Sequence, residues 1–370
     1  MKKRIVIVHE NLNLGGAEKV LVEILNRLNT EKYDITLLLL KYEGIYINNL
    51  NSNINVEWIY KPIKNMPMFN KIINGIYYRF LFKYFGKNYY NKYIRGKYDV
   101  EVAFMEGIST RIIAAEKATG KKISWIHTDL KELRTMSYKE EKYIYRNIDK
   151  VVCVSQGAKE SFDSLYECYR NKSLVIYNYL NSDKIIEMSK EPFKTTKFSI
   201  VFVGRLVSCK RVDLLIDALS NIIKKDIDIQ LIVVGDGVLK PELMRRVEEL
   251  NIIKNVNFVG YSNNPYKYIK NSDIYISTSD YEGFCLSVAE AMILGKAIIS
   301  TKTVGTSELL RNGEYGINVE CGNLKEIESA ILHLFENNEL RKEYERKSIE
   351  RSSIFKGEYV ISQIESLIDE

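Results

Sequence analysis

Cysteine and histidine are scarce in this 370-residue sequence, and their spacing excludes two kinds of site. There are five cysteines, an odd number with no Cys-x-x-Cys pair, and three histidines that are not clustered. A disulfide framework and a structural zinc site both require paired or clustered ligands. We therefore expect the cysteines to be buried free thiols.

Long apolar runs are absent as well. None approaches the roughly 18 residues that a membrane-spanning helix requires. The basic start, Met-Lys-Lys-Arg-Ile-Val-Ile-Val-His, has too short an apolar run for a signal peptide and lacks a small-residue cleavage site. With 46% apolar and 28% charged residues, the chain is expected to be a soluble, globular protein of the cytoplasm.

One segment, residues 61–98, contains no aspartate or glutamate, although lysine, arginine and aromatic residues occur throughout it. Its charge alone exceeds the net charge of +6 of the whole chain. Cations interleaved with aromatic rings suit an interfacial helix on anionic lipid. A packed helix pair with a solvated basic face is the alternative, and nucleic acid is less favoured because no recognised binding motif accompanies the segment.

Strand-like and helix-like segments alternate twice along the chain, which is typical of α/β domains with parallel sheets. Buried strands are predicted at residues 5–8, 35–40, 100–104, 123–126 and 151–154, and again at 200–203, 229–234, 256–259, 274–277, 297–300 and 317–319. We predict two doubly wound domains, residues 1–180 and 181–350, followed by a C-terminal helix at 351–370 that packs back on the first domain. The cleft between the domains is the expected ligand site.

The residues that follow each strand are expected at the ligand-binding edge of the sheet. After the first strand, Gly15-Gly16 opens a helix whose free N–H groups favour an anion, although a plain helix entry explains the glycines equally well. The pattern is not Gly-x-Gly-x-x-Gly and no acidic residue ends the second strand, so a nicotinamide cofactor is disfavoured. Four successive strand ends in the second half carry Gly204-Arg205 with Lys210, Gly235-Asp236-Gly237, Gly260-Tyr261 and Glu282-Gly283-Phe284.

Two glutamates lie eight positions apart between Ser277 and Thr301. Glu282 is predicted in the loop after a strand, and Glu290 in the following helix. Ser287 and Glu290 fit a capping box, in which the two side chains satisfy each other's free backbone donors. Local structure alone could therefore explain Glu290, and a ligand-binding role for both glutamates stays open.

Several stretches carry a family resemblance. FVGRLVSCKRVDLLIDAL, LIVVGDG, VNFVGY and SDYEGFCLSVAEAMILGKAII resemble the carboxyl-terminal half of retaining glycosyltransferases of family 4, and LGGAEKVLVEIL and SWIHTD resemble the amino-terminal half. The most specific motif is glutamate, seven residues, glutamate. The resemblance spans nearly the whole chain and implies the GT-B fold, an α/β architecture of two Rossmann-like doubly wound domains facing a cleft.

The resemblance also implies a role for each site residue. Glu290 would bind the donor ribose, while Glu282 would hold the sugar together with the backbone from Gly283 to Leu286. The further implied contacts are Gly16 beside the phosphates, Arg205 and Lys210 at the diphosphate, Phe284 and Cys285 in the sugar loop, Gly260 and Tyr261 near the base, and His127 at the transferred sugar. Glu282, His127, Arg205 and Lys210 are the implied catalytic residues. Two departures from the family pattern are Cys285, where proline or glycine is frequent, and the sequence around Asn178.

The implied reaction moves a sugar, with retention, from a nucleotide-sugar to a lipid-linked oligosaccharide during synthesis of a bacterial surface polysaccharide such as a capsule. A UDP-sugar is the favoured donor and GDP-mannose the second choice. Fixed cations beside the leaving diphosphate make a metal ion unnecessary, and Asp226-Ile-Asp228 precedes its strand, at the opposite edge of the sheet. No metal or cofactor is therefore expected.

Two other function classes remain as alternatives. A retaining glycosidase would use carboxylates about 5 Å apart but would not need Arg205 and Lys210. A non-catalytic sugar-nucleotide-binding protein would keep the fold without turnover. With a lipid-linked acceptor, residues 61–98 would hold the enzyme peripherally at the inner face of the cell membrane.

Overall fold

The structure, a computed structural model, describes residues 1–61, 84, 86–116, 120–134, 136–355 and 357–370. The chain forms two compact units, one of Met1–Tyr179 with Glu358–Glu370 and one of Leu180–Gly357. Each unit has one wholly parallel sheet with helices in the crossovers. The predicted architecture of two parallel-sheet α/β domains is therefore confirmed.

The sheet of the first unit has the order β3-β2-β1-β4-β5-β6-β7. Its strands are β1 Lys3–His9, β2 Tyr33–Lys41, β3 Asn55–Tyr60, β4 Val100–Ala103, β5 Lys121–Ile126, β6 Lys150–Cys153 and β7 Ser173–Val175. In β1, Val8 pairs with Leu38 on one side and Ala103 on the other. The central strands are short apolar runs because helices cover both of their faces.

The helices of the first unit follow its strands. They are α1 Gly16–Leu25, α2 86–93, α3 Ile108–Ile113, α4 Tyr138–Arg146, α5 Gln156–Leu165 and, from the end of the chain, α14 Gly357–Asp369. Helix α14 packs on this unit through buried Val360, Ile364 and Leu367. The ammonium groups of Lys3 and Lys121 bind the last carbonyl oxygens of α14, at 2.8 Å from Ile368 and 2.6 Å from Leu367 respectively.

The second unit repeats the plan with the sheet order β10-β9-β8-β11-β12-β13. Its strands are β8 Phe198–Val203, β9 Ile229–Val234, β10 Val256–Gly260, β11 Ile274–Ser277, β12 Ala297–Thr301 and β13 Ile317–Val319. Its helices are α6 Ser182–Ser189, α7 Val212–Ile223, α8 Lys240–Glu249, α9 Tyr266–Lys270, α10 Leu286–Ile293, α11 Val304–Leu309, α12 Leu324–Glu336 and α13 Asn338–Ser352. Short 3₁₀ turns connect some elements of both units. The apolar faces of β8, β9, β11 and β12 meet α7, α8 and α12 in one core.

Most of the basic segment 61–98 lies outside the described residues. Its last part is described and includes α2, whose Tyr90 is fully buried. The Tyr90 hydroxyl donates to Glu101 at 2.9 Å, and the Lys122 ammonium lies 3.8 Å from the same carboxylate. Tyr90 thus anchors α2 to a buried ion pair between β4 and β5. No helix in the described ranges is long and apolar enough to cross a membrane.

The prediction that all cysteines are buried is wrong in part. Cys153 and Cys285 are buried, whereas Cys168 and Cys321 are exposed and Cys209 is half-buried. Cys168 lies in a 3₁₀ turn that follows α5, and Cys321 follows the last strand of its sheet. Both positions are turns at the surface, which no apolar run in the sequence marks.

Candidate active site

The turns after β8 and β9 form one packed surface at the carboxyl edge of the second sheet. Gly235 has a φ of +141°, and a Cβ atom there would lie 1.9 Å from the carbonyl oxygen of Gly204. The Leu206 N–H donates to the backbone carbonyl oxygen of Asp236 at 2.9 Å. The glycines therefore permit a close backbone approach, which leaves Arg205 exposed at this edge.

An ion pair between Lys210 and Glu282 lies beside these turns. The Lys210 ammonium donates to Glu282 Oε1, and the Ser279 hydroxyl donates to the same oxygen at 2.9 Å. Burial acts to lower the pKa of Lys210, but the Glu282 carboxylate leads the effects that raise it overall. Lys210 is thus a fixed cation at neutral pH, and its partner is one of the two glutamates of the sequence motif.

The loop that carries Glu282 is held by neighbours on both sides. Thr278 Oγ1 donates to the Lys210 carbonyl at 2.8 Å, and Thr301 Oγ1 donates to the Ser279 carbonyl at 2.6 Å. The Asp280 N–H donates to the Cys209 carbonyl at 2.8 Å. Sequence reasoning missed Ser279 and Thr301, because hydroxyl residues at strand ends give no distinctive signal.

Glu290 does not cap its helix, so the capping-box interpretation is wrong. Helix α10 begins at Leu286, its N-cap residue is Cys285, and no side chain of the described residues caps it. Ser287 lies inside the first turn, two residues after the N-cap position. Glu290 is only 5% exposed, and the Tyr266 hydroxyl donates to its Oε1 at 3.3 Å.

Cys285 turns the chain from the Glu282 loop into α10. Its φ of 67° and ψ of 75° lie in the left-handed region, which is unfavourable for a residue with a side chain. The preceding backbone of Gly283 and Phe284 is buried. The turn that the resemblance assigns to the sugar therefore leads directly into α10. The strained backbone at Cys285 explains why glycine would suit this position.

Gly305, at the start of α11, is a second residue that sequence reasoning missed. Its N–H donates to the Glu282 carbonyl at 3.1 Å. A Cβ atom at Gly305 would lie 2.6 Å from both the nitrogen and the Cα of Phe284. A glycine in a Thr-Val-Gly-Thr stretch carries no signal of this contact, which arises only when β11 and β12 are neighbours in the sheet.

The other predicted residues of the second unit occupy strand ends. Gly260 has a φ of +80°, and its carbonyl accepts from the Gly235 N–H at 2.8 Å. Tyr261 follows it and is 43% exposed. Asp226 and Asp228 precede β9, at the amino edge of the sheet, and the carboxylate of Asp228 pairs with Lys197 at 2.6 Å.

In the first unit, Gly16 begins α1 as predicted from the sequence. The Glu18 carboxylate lies against the N-terminus of the helix, because a Cβ atom at Gly15 would be 2.0 Å from its Oε2. A carboxylate is stabilising at this end of a helix. Gly16 and Glu18 therefore fit the plain helix entry, and a phosphate at this position would have to share it with Glu18.

His127 directly follows β5 and is enclosed by the end of β4. Its backbone N–H donates to Glu106 Oε2 at 3.0 Å, and its ring lies 4.9 Å from that of Phe104. Nε2 is buried without a hydrogen-bond partner among the described residues. Burial outweighs a hydrogen bond to the Phe104 backbone and lowers the pKa of the imidazole to about 4. His127 is thus a neutral group with a free ring nitrogen.

Comparison with known proteins identifies both halves of the chain. Residues 14–184 match Glycosyltransferase Family 4, and residues 183–351 match Glycosyl transferases group 1. The N-acetylgalactosamine-N,N'-diacetylbacillosaminyl-diphospho-undecaprenol 4-alpha-N-acetylgalactosaminyltransferase of Campylobacter jejuni is 27% identical, with 93% of each chain covered. The amylovoran biosynthesis glycosyltransferase AmsD of Erwinia amylovora is 23% identical, with 100% of each chain covered.

The fold has a solved counterpart in HepE of Anabaena, crystallised with UDP and glucose. The two chains align with a TM-score of 0.79 at 19% identity, over 99% of each. The family matches and this fold confirm the resemblance at the level of fold and reaction class. The chain is a glycosyltransferase with the GT-B fold.

Proposed function

We propose that this glycosyltransferase moves a sugar, with retention, from a UDP-sugar to a lipid-linked oligosaccharide, and that it needs no metal ion. The observation that carries the proposal is the fixed Lys210–Glu282 pair beside exposed Arg205, at the carboxyl edge of the second sheet. A nucleotide diphosphate requires cations at this edge, and the motif that contains Glu282 and Glu290 is the one the family shares.

The reaction separates the anomeric carbon of the sugar from the diphosphate. In the proposed mechanism, Arg205 and Lys210 stabilise the negative charge that develops on the departing phosphate, without reorganising during the step. The acceptor hydroxyl attacks from the face that the phosphate leaves, and its proton passes to the phosphate oxygen. The products are UDP and a new glycoside.

The two glutamates have different tasks in this mechanism. Glu282, positioned by Lys210 and Ser279, orients the sugar and opposes the positive charge that develops at its anomeric carbon. Glu290 is buried and accepts from Tyr266, and we assign its carboxylate to the ribose hydroxyls. A glycosidase is disfavoured because Glu282 is already paired with a cation, which weakens a carboxylate as a nucleophile.

UDP is favoured over GDP as the leaving group because HepE, which has the same fold, was crystallised with UDP. The lipid-linked acceptor is supported by the name of the Campylobacter jejuni relative, whose substrate contains diphospho-undecaprenol. A role in surface-polysaccharide synthesis is consistent with the amylovoran enzyme. GDP-mannose remains the second candidate donor.

A panel of nucleotide-sugars, with release of the nucleotide as the readout, tests the donor. We expect turnover with a UDP-sugar that survives EDTA, and a loss of about 100-fold in Lys210→Ala and in Arg205→Ala, the scale of one preorganised charge contact. Lys225→Ala, at an exposed turn before β9, is the control that should retain activity. Activity lost in EDTA and restored by manganese would contradict metal independence, and UDP binding without turnover would favour a non-catalytic protein.

Membrane docking through residues 61–98 completes the proposal. Each basic residue near an anionic surface contributes about 1 kcal/mol, so the protein should sediment with anionic liposomes but not with neutral ones. Replacing Lys83, Lys87 and Lys92 with glutamate, or adding salt, should weaken this sedimentation. Equal binding to both kinds of liposome, or no binding at low salt, would exclude docking without affecting the assignment of the reaction.

A further inference from the structure

The topology of the first sheet marks a second place where a ligand is expected. In the order β3-β2-β1-β4-β5-β6-β7, the strands that follow β1 are added on one side of it. Those that follow β4 are added on the opposite side. The connections after these two adjacent strands therefore diverge and leave a crevice at their carboxyl ends. Open α/β sheets bind ligands at this switch point.

His9 and Phe104 lie at the switch point itself. His9 is the last residue of β1, and the N–H of Phe104, directly after β4, donates to the Val8 carbonyl at 3.1 Å. The ring centroids of His9 and Phe104 are 6.1 Å apart, edge to face. The ring centroid of His127, the residue after β5, lies 4.9 Å from that of Phe104. The Phe104 ring thus separates two imidazoles at one edge of the sheet.

Both imidazoles have a nitrogen that no described residue satisfies. His9 is 1% exposed, and its Nδ1 is buried without a hydrogen-bond partner, as is Nε2 of His127. An unpaired polar atom of this kind costs about 1–3 kcal/mol of stability. Burial, together with the nearby His127, lowers the pKa of His9 to about 3, and burial lowers the pKa of His127 to about 4, so both rings are neutral at physiological pH.

The chemistry of the pair indicates a ligand that donates neutral hydrogen bonds. A neutral imidazole nitrogen without a proton accepts a hydrogen bond, and it offers no charge that would attract a phosphate. No cluster of three or more metal-binding side chains occurs in the described ranges. Hydroxyl groups of a saccharide have the required donors.

We propose that His9 is a second saccharide-binding residue of this enzyme, whose Nδ1 accepts a hydrogen bond from a sugar hydroxyl beside the one bound by His127. This inference rests on the proposed sugar transfer. The hydroxyl belongs either to the transferred sugar or to the acceptor, and the two sources share the same chemistry at Nδ1.

The test compares two substitutions at position 9. His9→Phe keeps a ring against Phe104 but removes the acceptor nitrogen, whereas His9→Asn retains an acceptor atom close to the position of Nδ1. We expect kcat/KM to fall about 10-fold in His9→Phe, the effect of one hydrogen bond, and to stay within about threefold of wild type in His9→Asn. His333→Phe, at an exposed position of α12, is the matched control.

Three measurements separate the possible results. UDP affinity by calorimetry should be equal in wild type and all variants, which shows that the nucleotide site is intact. A weaker affinity for the UDP-sugar, with slower hydrolysis by water, assigns the hydroxyl to the transferred sugar. A higher acceptor KM with unchanged hydrolysis assigns it to the acceptor.

Unchanged kinetic constants in His9→Phe would overturn the inference, as would equal losses in His9→Phe and His9→Asn, which would indicate a purely structural role. In both cases wild type still turns over a UDP-sugar. Failure of wild type itself to release UDP from any sugar nucleotide would instead overturn the proposed function, and the inference with it.

Discussion

At the scale of single residues, the two motif glutamates differ in their surroundings more than in their sequence context. Glu282 accepts from a lysine ammonium and a serine hydroxyl, whereas Glu290 accepts from the hydroxyl of Tyr266. Lys210 thus offsets the charge of Glu282 in the protein alone. A bound ribose would provide Glu290 with donors of the kind that a buried carboxylate requires.

Replacing Glu290 with glutamine should weaken UDP binding without unfolding the protein. A hydrogen bond to a charged group contributes about 1.5–3 kcal/mol, so we expect the Kd of UDP to rise roughly 10- to 100-fold while Tm changes little. Calorimetry and thermal unfolding measure the two quantities, with Glu339→Gln on the exposed first turn of α13 as the control. An unchanged Kd would contradict the assignment of Glu290 to the ribose.

His9 should make the stability of the protein depend on pH. Its pKa is about 3 in the folded state and about 6.5 in the unfolded chain. Between these values the unfolded state binds a proton that the folded state does not, so stability falls as the pH decreases below 6.5. We expect His9 to account for a loss of about 2 kcal/mol between pH 7 and pH 5.

Denaturant unfolding at the two pH values measures this effect. In His9→Phe the fall in unfolding free energy between pH 7 and pH 5 should be smaller by that amount, whereas exposed His333→Phe should fall as wild type does. An identical pH dependence in His9→Phe and wild type would show that the imidazole is not held neutral.

At the scale of secondary-structure elements, the loop that carries Glu282 is in backbone contact with the start of α11. The start of α11 contacts the Gly283–Phe284 backbone through Gly305, and the Gly305 N–H binds the Glu282 carbonyl. The position of this loop is therefore set by backbone contact. A substitution on α11 is therefore expected to displace the backbone of this loop without changing any charged side chain.

Gly305→Ala tests this contact. The added methyl group would overlap backbone atoms that cannot rotate away, at a cost of about 1–3 kcal/mol, and the displaced loop should bind UDP-sugar more weakly than wild type. Gly86→Ala, where the nearest atom is 4.0 Å from the added carbon, should keep both stability and affinity. Wild-type values for Gly305→Ala would show that the loop tolerates a shift.

The sequence predicted the buried elements well and the exposed ones poorly. All six strands of the second sheet and five strands of the first were identified from short apolar runs. The missed strands, β3 and β7, are the two edges of the first sheet. β3 has no fully buried residue and β7 is three residues long, so neither produces the apolar run on which the prediction depends.

The candidate site shows the same division. Lys210 and Glu282, in loops that follow strands, were identified because four successive strand ends carry distinctive turns and because their motifs resemble a known family. The contacts of Thr301, Gly305 and His9 arise from neighbouring strands that are distant in the chain, and no local pattern predicts them. The helix start at Leu286 was misplaced because Ser287 mimics an N-cap, while the left-handed turn at Cys285 determines the boundary.

At the scale of the whole molecule, the first unit is built from both ends of the chain. Helix α14 contributes buried Val360, Ile364, Leu367 and Ile368 to this unit. At roughly 1.5–3 kcal/mol for each buried side chain, their sum is comparable with the total stability of a typical domain. The first unit is therefore not expected to be stable without the last residues of the chain.

Deleting residues 357–370 should destabilise the first unit and leave the second folded. Hydrogen exchange should show loss of protection in β1 and β5 but retained protection in β8 and β9. A double variant, Asp369→Asn with Glu370→Gln, keeps the helix and removes ion pairs that are partly exposed. It should lower the free energy of unfolding by less than about 1 kcal/mol per pair. Equal loss of protection in both sheets would show that the two units unfold together.

The discontinuity of the first unit has a consequence for synthesis on the ribosome. Domains generally fold in the order in which they are made, but here the segment Leu180–Gly357 is complete before Glu358–Glu370 has been translated. The second unit can therefore finish folding first, while the nascent sheet of the first unit waits with the surface for α14 uncovered. Termination before residue 358 would therefore release a chain with a folded second unit and an incomplete, aggregation-prone first unit.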